Sequence, residues 1–488
     1  MKKLLLILII LVAAALLLLP SVAGRVSEAR IRANLNRASE NGFITFSISG
    51  YESGWLSSRG QIELGFSETY QETLARMAEL ENQGEDPQIS EFMREMLDKS
   101  IVLDLKMNHG PLALGEDMFV GLSTAVIRFN PTDEDLATVR DELGIDYFLE
   151  IRTRTGFDGT TVFDADIPPV DYTHETGVFD FSGLQINGEF DGDELSSTGH
   201  MDSFTVNGPA VSFEVINLRV NGSQQMYSPH LWLGTTQSTL DSIIIETRTG
   251  PSAGSVEIRD IRADSDIHLN ENPQLADLVV NYHLGSIMGA DIDLRDLKVG
   301  LKLLRFDIDS LQGYYNLTNE LALLEPDALA ERAPELREKL YKLLAGSPAI
   351  AIDPLEFSWD EDAFQALLQV EIHGNKLPPE ESWDPTDTEA WPAVVAVNAE
   401  ASIARNMAIA VATQTLQQQL LAQSTPENPL SPEQAAEMAR QQAPAMLDIL
   451  TTQGMLTKSD DGYATRASFD DNVLTVNGMP IPLGAPEL

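Results

Sequence analysis

From Ile44 onward the chain keeps returning to one pattern, a short run in which apolar and polar residues alternate, closed by glycine, asparagine or aspartate and then begun again. Ile44, Phe46 and Ile48 alternate with Thr45, Ser47 and Ser49; Ile62, Leu64 and Phe66 alternate with Gln61, Glu63 and Gly65. Ile101, Leu103, Leu105 and Met107 stand against Asp104, Lys106 and Asn108. Successive strand residues point to opposite faces, so each run predicts a strand with one buried face. Between residues 120 and 310 the runs restart every 10 to 20 residues or so, too soon for repeated crossover helices and right for an antiparallel meander. In the run from Ser212-Phe213 through Val220 the parity of the apolar positions changes between Val215 and Ile216, which predicts a bulge or bend that lets a long sheet curl. The expected class is α+β, mainly β: a large curled antiparallel meander sheet with an N-terminal membrane helix and two or three helical insertions packed on it.

Three insertions break the alternation, near 68–100, 319–346 and 403–455, each rich in Leu, Ala, Met, Glu or Gln at helical spacing. Ser431-Pro432-Glu433-Gln434 reads as a helix start, and Asp471-Asn472 as the turn of a closing hairpin. Residues 25–42 carry Ile31, Leu35 and Ala38 before Asn41-Gly42 and predict a short connecting helix. Ahead of it, Lys2 and Lys3 precede an unbroken apolar run from Leu4 to Leu19. Continued to Gly24, the run reaches roughly 30 Å as a helix, enough to span a bilayer, which favours a retained anchor over 1–24. Ser21 and Ala23 also fit cleavage after Ala23. Nothing later in the chain is comparably long and apolar, so 43–488 reads as one body on one side of a membrane.

The charge balance removes whole classes of partner. There are 75 acidic residues against 32 basic ones, a formal net charge of -43. Such a surface repels phosphate backbones, so nucleic acid is no expected partner; it keeps the chain soluble or steers a cationic ligand. The absence of cysteine rules out disulfides, thiolate zinc sites and iron–sulfur clusters.

The stretch "GYESGWLSSRGQIELGF" at 50–66 joins two predicted strands and holds the densest set of special residues. No Gly-x-Ser-x-Gly elbow accompanies Ser57 or Ser58, and a serine needs a base within hydrogen-bond reach to act as a nucleophile. The structural reading is that Gly54 permits a tight turn, Trp55 caps a sheet edge or core, and the serines satisfy turn amides. His109 is the leading functional histidine, because Gly110-Pro111 fix its backbone just after a strand; its structural reading is an imidazole bonded to the turn it ends. The seven histidines form no His-x-His or His-Glu-x-x-His pair. Asp164/Asp166, Asp191/Asp193 and Asp291/Asp293 sit two apart, which on a strand places them on one face; that could serve calcium, and it is also ordinary for a solvated face. No catalytic residue, cofactor or metal ligand is assigned.

"YESGWLSS" at 51–58, "NHGPL" at 108–112, "FSGLQINGEF" at 181–190, "AIAIDPLEFSW" at 349–359 and the final "GYATRASFDDNVLTVNGMPIPL" together resemble the YdgA-type envelope proteins of Gram-negative bacteria, in order and in spacing. Tyr51, Gly54, Trp55 and Ser57 combined with His109, Gly110, Pro111 and Leu112 are the most specific part of the likeness. The resemblance implies an inner-membrane anchor or export, with the body in the periplasm, and brings no substrate, cofactor or catalytic residue. Two functional readings stand beside it. One is a non-enzymatic envelope protein whose sheet offers a groove to lipid or to a hydrophobic segment of an envelope partner. The other is a periplasmic hydrolase or metal-dependent enzyme with its site near His109 and the 51–58 loop.

Overall fold

The computed structural model describes residues 44–67, 101–110, 113–114, 118–129, 134–174, 177–228, 231–249, 253–289, 292–311, 326–422 and 430–481, with isolated positions besides, among them Ile31, Arg32 and Leu35. The apolar run Leu4–Leu19, nearly all of the expected insertion at 68–100, and Pro111 and Leu112 lie outside the described residues. Among the described residues no helix is long and apolar enough to cross a membrane. The chain divides into two units, residues 1–253 with 318–329, and residues 254–317 with 330–488. The expected class holds: the protein is mostly strand, paired antiparallel throughout, with a few helices.

The first unit follows the chain almost strand by strand. Strand β1 (Ile44–Ser53) pairs with β2 (Ser57–Phe66), β2 with β3 (Ile101–His109), and β3 with β6 (Ser123–Phe129); the short β4 (Ala113–Leu114) and β5 (Met118–Phe119) form a separate ribbon. The sheet continues through β7 (Leu149–Thr155), β8 (Thr161–Ile167), β11 (Leu184–Phe190), β12 (Glu194–Asn207), β13 (Val211–Ser228) and β14 (Leu231–Thr247). Strand β9 (Val170–His174) pairs with β10 (Gly177–Phe181), which takes the stretch of β12 left free by the shorter β11. Helix α1 (Glu134–Leu143), between β6 and β7, was not foreseen among the predicted strands. Its signal was present, with Glu134 and Asp135 at its start and Leu136, Val139 and Leu143 at helical spacing.

The parity change finds its cause in β13. Asn217 takes a left-handed backbone (φ 58°) just past the expected point, between the pairs Ile216–Ser242 and Arg219–Thr239. Asparagine tolerates this region better than a branched residue. Its side chain is fixed as well: Nδ2 donates to Asp241 (2.7 Å), and Oδ1 accepts from Arg219 Nε (3.0 Å).

The second unit repeats the device. It pairs β15 (Gly254–Leu269), β16 (Leu275–Met288), β17 (Asp293–Asp307), β18 (Ala349–Trp359), β19 (Asp362–Ile372) and β20 (Val395–Ala404) in chain order, then β22 (Gly462–Asp470), β23 (Val473–Val476) and β24 (Met479–Ile481), with the two-residue β21 (Thr457–Lys458) beside β22. Asp260 in β15 and Asp296 in β17 are left-handed (φ 53° and 52°), and the apolar parity changes at each, from Ile258 to Ile261 and from Leu294 to Leu297. Gly285 of β16 lies between them in the register, where a Cβ would come 2.7 Å from that of Asp260. A glycine is therefore required there.

Helices α2 (Pro326–Ala345), α3 (Arg405–Ala422) and α4 (Pro432–Thr452) occupy the two later insertions. Ser431 and Gln434 form the reciprocal cap that the sequence announces. Ala408 and Ala412 of α3 and Ala443 and Leu447 of α4 enclose a core with Tyr463 of β22, so this helical pair does cover part of a sheet. The final hairpin turns on Asp471 and Asn472, both left-handed, as expected.

Candidate functional site

Strands β2, β3 and β6 bring the two halves of the motif together. On one face stand Ser58 and Ile62, then Leu103, Leu105, Met107 and His109, then Ser123 and Ala125, all buried. His109 Nε2 lies 3.0 Å from Ser58 Oγ. The histidine is 0% exposed and the serine 5%. The backbone is tied in too: His109 N donates to Leu56 O (2.9 Å), and Gly110 N to Leu122 O (3.1 Å). The main chain around His109 is thus bonded to the neighbouring turns, and its ring pairs with Ser58. At Gly54, N donates to Ser57 O (2.8 Å), and a Cβ would meet that same oxygen at 2.6 Å, so the turn needs glycine.

A serine within reach of an imidazole is the chemical core of many nucleophilic sites, but attack also requires the substrate to reach the hydroxyl. Here no solvent touches the ring. The pair satisfies two buried polar groups against each other, which is what burial demands.

Trp55, expected to cap a sheet edge or core, stands in the turn between β1 and β2. It is 50% exposed, and Leu56 beside it is exposed as well. Tyr51 does turn inward, packing against the Ile62 cluster with Ile31 and Leu35, and Arg32 stands 5.8 Å from the centre of its ring. Ser57, opposite Asn108, faces away from the core.

The opposite face of the same strands is polar. Glu150, 2% exposed, is held between Arg128 and Arg152. Tyr147 donates to Asp166 Oδ2 (2.9 Å); burial, reinforced by that carboxylate, pushes its pKa up to about 12. Tyr147, Glu150, Arg152 and Asp166, with Asp164, Gln185 and Asn187, line a cavity of about 300 Å³. Sequence reasoning passed over Glu150, although Glu150, Arg152 and Arg154 alternate along β7 and must share a face.

The carboxylate pairs considered for calcium go to other tasks. Asp164 lies 3.9 Å from Arg154, and Asp166 is taken by Tyr147. Asp191 accepts from the backbone N of Glu194 (2.8 Å) and Asp193 (3.1 Å), which lowers its pKa. Asp293 is held by Arg295 at 2.7 and 2.8 Å, and Asp291 lies outside the described residues. Among the described residues no three His, Cys, Asp or Glu side chains are grouped to hold a metal ion.

A third surface of the first unit is apolar and unsealed. The register lines up Phe179, Val206, Phe213 and Ile245 in one row, and Phe181, Phe204, Val215 and Ile243 in the next, across β10, β12, β13 and β14. Phe204 meets Phe179, Phe181 and Phe213 edge to face at 5.5, 6.3 and 6.0 Å between ring centres. Yet from Gly177 to Thr247 no described apolar side chain is fully buried, and Val206 and Ile245 are exposed.

Compared with known proteins, residues 1–484 match the family described as "Bacterial protein of unknown function (DUF945)". The chain is 22% identical over 411 residues to Protein YdgA of Escherichia coli (strain K12), an alignment covering 79% of this chain and 78% of that protein. No solved structure matches. A family match that runs nearly end to end is what the order and spacing of the motifs at 51–58, 108–112, 181–190, 349–359 and 462–483 led us to expect, and the chain belongs to the DUF945 family of bacterial proteins of unknown function.

Proposed function

We propose that this is a non-enzymatic envelope protein, anchored in the bacterial inner membrane through its N-terminal apolar run with its body in the periplasm, and that it binds lipid acyl chains on the apolar face of β10 and β12–β14. One observation carries the reading: a four-strand patch with four phenylalanines in two registered rows has no fully buried apolar member. A sheet of this composition ordinarily buries its apolar face against another layer. Leaving it half-exposed costs about 25 cal/mol for each Å² that could have been buried, a cost an acyl chain removes at about 0.8 kcal/mol per CH₂ covered.

Four strands at about 4.8 Å spacing make a face roughly 14 Å wide, suited to extended chains lying across it. The apolar run from Leu4 to Leu19 supports the proposed location. A hydrolase centred on His109 finds less support, since its imidazole would have to meet substrate from a wholly buried position.

The test is chemical. The full chain, purified in detergent and extracted with organic solvent, should yield copurified lipid by mass spectrometry. Phe204→Glu, which places a charge in the middle of the patch, should lower that yield severalfold while the protein stays folded. Lipid-free wild-type protein, or a yield unmoved by Phe204→Glu, would overturn the assignment, and a specific protein crosslinked to the patch in its place would make the occupant an envelope partner.

A further inference from the structure

The most exposed large apolar side chains of the first unit gather at one end of its sheet. Met118 is 74% exposed, Val120 63%, Phe157 59% and Trp55 50%. The topology brings them together: residues 54–56 join β1 to β2, Val120 leads into β6, and Phe157 sits in the turn from β7 to β8. The pairs Ser57–Asn108, His109–Ser123, Ser123–Thr155 and Thr155–Thr161 set all these connections at the same edge. Isolated exposed apolar residues are ordinary on a protein surface, but several on neighbouring turns form a tip.

Directly behind this tip two cations stand side by side, with Glu52 across from one of them and Asp158 next to Phe157 in the tip itself. Arg59 of β2 and Lys106 of β3 face each other across the ladder, both exposed and neither within ion-pair distance of an acid. Glu52, opposite Arg59 on β1, makes no ion pair with it. Arg154, one row from the tip on the same face, reaches Asp164 only at 3.9 Å. Like charges directly opposed on a sheet are destabilising, and in a chain with 75 acidic residues a carboxylate partner would have been easy to place.

We infer that this end of the sheet is a membrane-docking edge, which inserts Trp55, Leu56, Met118, Val120 and Phe157 into the headgroup region of a bilayer and sets Arg59 and Lys106 against anionic lipid phosphates. Tryptophan favours the bilayer interface, and long cationic side chains reach from apolar surface to headgroups. The order of apolar tip and then cations, in an otherwise acidic body, is complementary to a bilayer surface rather than to a soluble anion. The inference gives the 51–58 motif a task outside the fold, and it does not depend on whether the face of β10–β14 takes acyl chains.

The experiment uses the full chain in vesicles of phosphatidylcholine with 30% phosphatidylglycerol or so, the acyl chains brominated near the headgroup. The protein has five tryptophans, of which Trp55 alone is at the tip. Brominated vesicles should quench part of the wild-type emission relative to unbrominated ones, and Trp55→Phe should abolish most of that difference. Arg59→Gln with Lys106→Gln should weaken the quenching severalfold, and the loss should disappear when phosphatidylglycerol is replaced by phosphatidylcholine. Hydrogen exchange gives a second readout without a substitution: amides of 54–57 and 156–160 should slow on vesicle binding. Quenching equal in wild type and Trp55→Phe, unchanged exchange, or a chain that stays off the vesicles would each overturn the inference.

Discussion

Two parts of one sheet, β2–β3–β6 and β10–β12–β13–β14, are written in the same alternating code and end in opposite states. In the first, Ile62, Leu103, Leu105, Met107 and Ala125 are all buried, with Ile31, Leu35 and Tyr51 packed over them. In the second, four phenylalanines and four aliphatic residues share a face, and none is sealed. The difference lies in what covers each face. Alternation tells which side chains share a side of a strand; it carries no term for the layer that meets that side. The contrast teaches that a sealed patch and an open one ask for different explanations, the first in stability and the second in binding.

The largest effect that can break this contrast is a paired truncation. Leu105→Ala at the sealed end should cost about 2–5 kcal/mol, because a cavity opens among neighbours that cannot collapse into it. Phe213→Ala removes a larger side chain from the open face yet should cost less, about 1–2 kcal/mol, since part of its surface already meets water. Chemical denaturation of the full chain in one detergent checks both. Equal losses would mean that the β10–β14 face is a core after all, and the acyl-chain proposal would fall with it.

A second difference concerns pH and the polar side of the sealed strands. Tyr147, half-buried and bonded to Asp166, has its pKa pushed up to about 12 from an ordinary 10. A raised folded-state value means that its contribution to stability is full below pH 10 and is lost as the pH climbs through 12 or so. Titration followed at 295 nm should show one of the ten tyrosines ionising late, and Tyr147→Phe should remove that late step and nothing else. A wild-type curve identical to that of Tyr147→Phe would show that Asp166 does not hold the phenol.

These contrasts also mark how far the sequence reaches. The strand framework, the bend near residue 216, the capped helix at Ser431 and the closing Asp471-Asn472 turn were legible because each rests on residues adjacent in the chain. The His109–Ser58 pair was legible only in part, since the motif names both residues while the register of β2 on β3 decides that they touch. Glu150 and its two arginines were not foreseen, because charged residues alternating on a strand look the same whether covered or solvated. For Trp55 the residue type allows either an edge or a core, and it is the topology that puts its turn at the rim.

The smallest predicted effect bears on that rim. Arg59 and Lys106 oppose each other and neither makes an ion pair with an acid, Glu52 across from Arg59 included, so replacing both with glutamine should leave stability unchanged or raise it, by about 0.2–1 kcal/mol, as cross-strand repulsion between like charges is removed. The gain should shrink with added salt, because exposed charges are screened within a Debye length of about 10 Å at 0.1 M. A pair retained for folding would behave in the opposite way, its removal lowering the denaturation midpoint at every salt concentration. Folding and vesicle docking are therefore expected to move apart in one double variant, the first steady or improved and the second weakened. A destabilised Arg59→Gln, Lys106→Gln protein would return these cations to the fold and leave the apolar tip without its electrostatic partner.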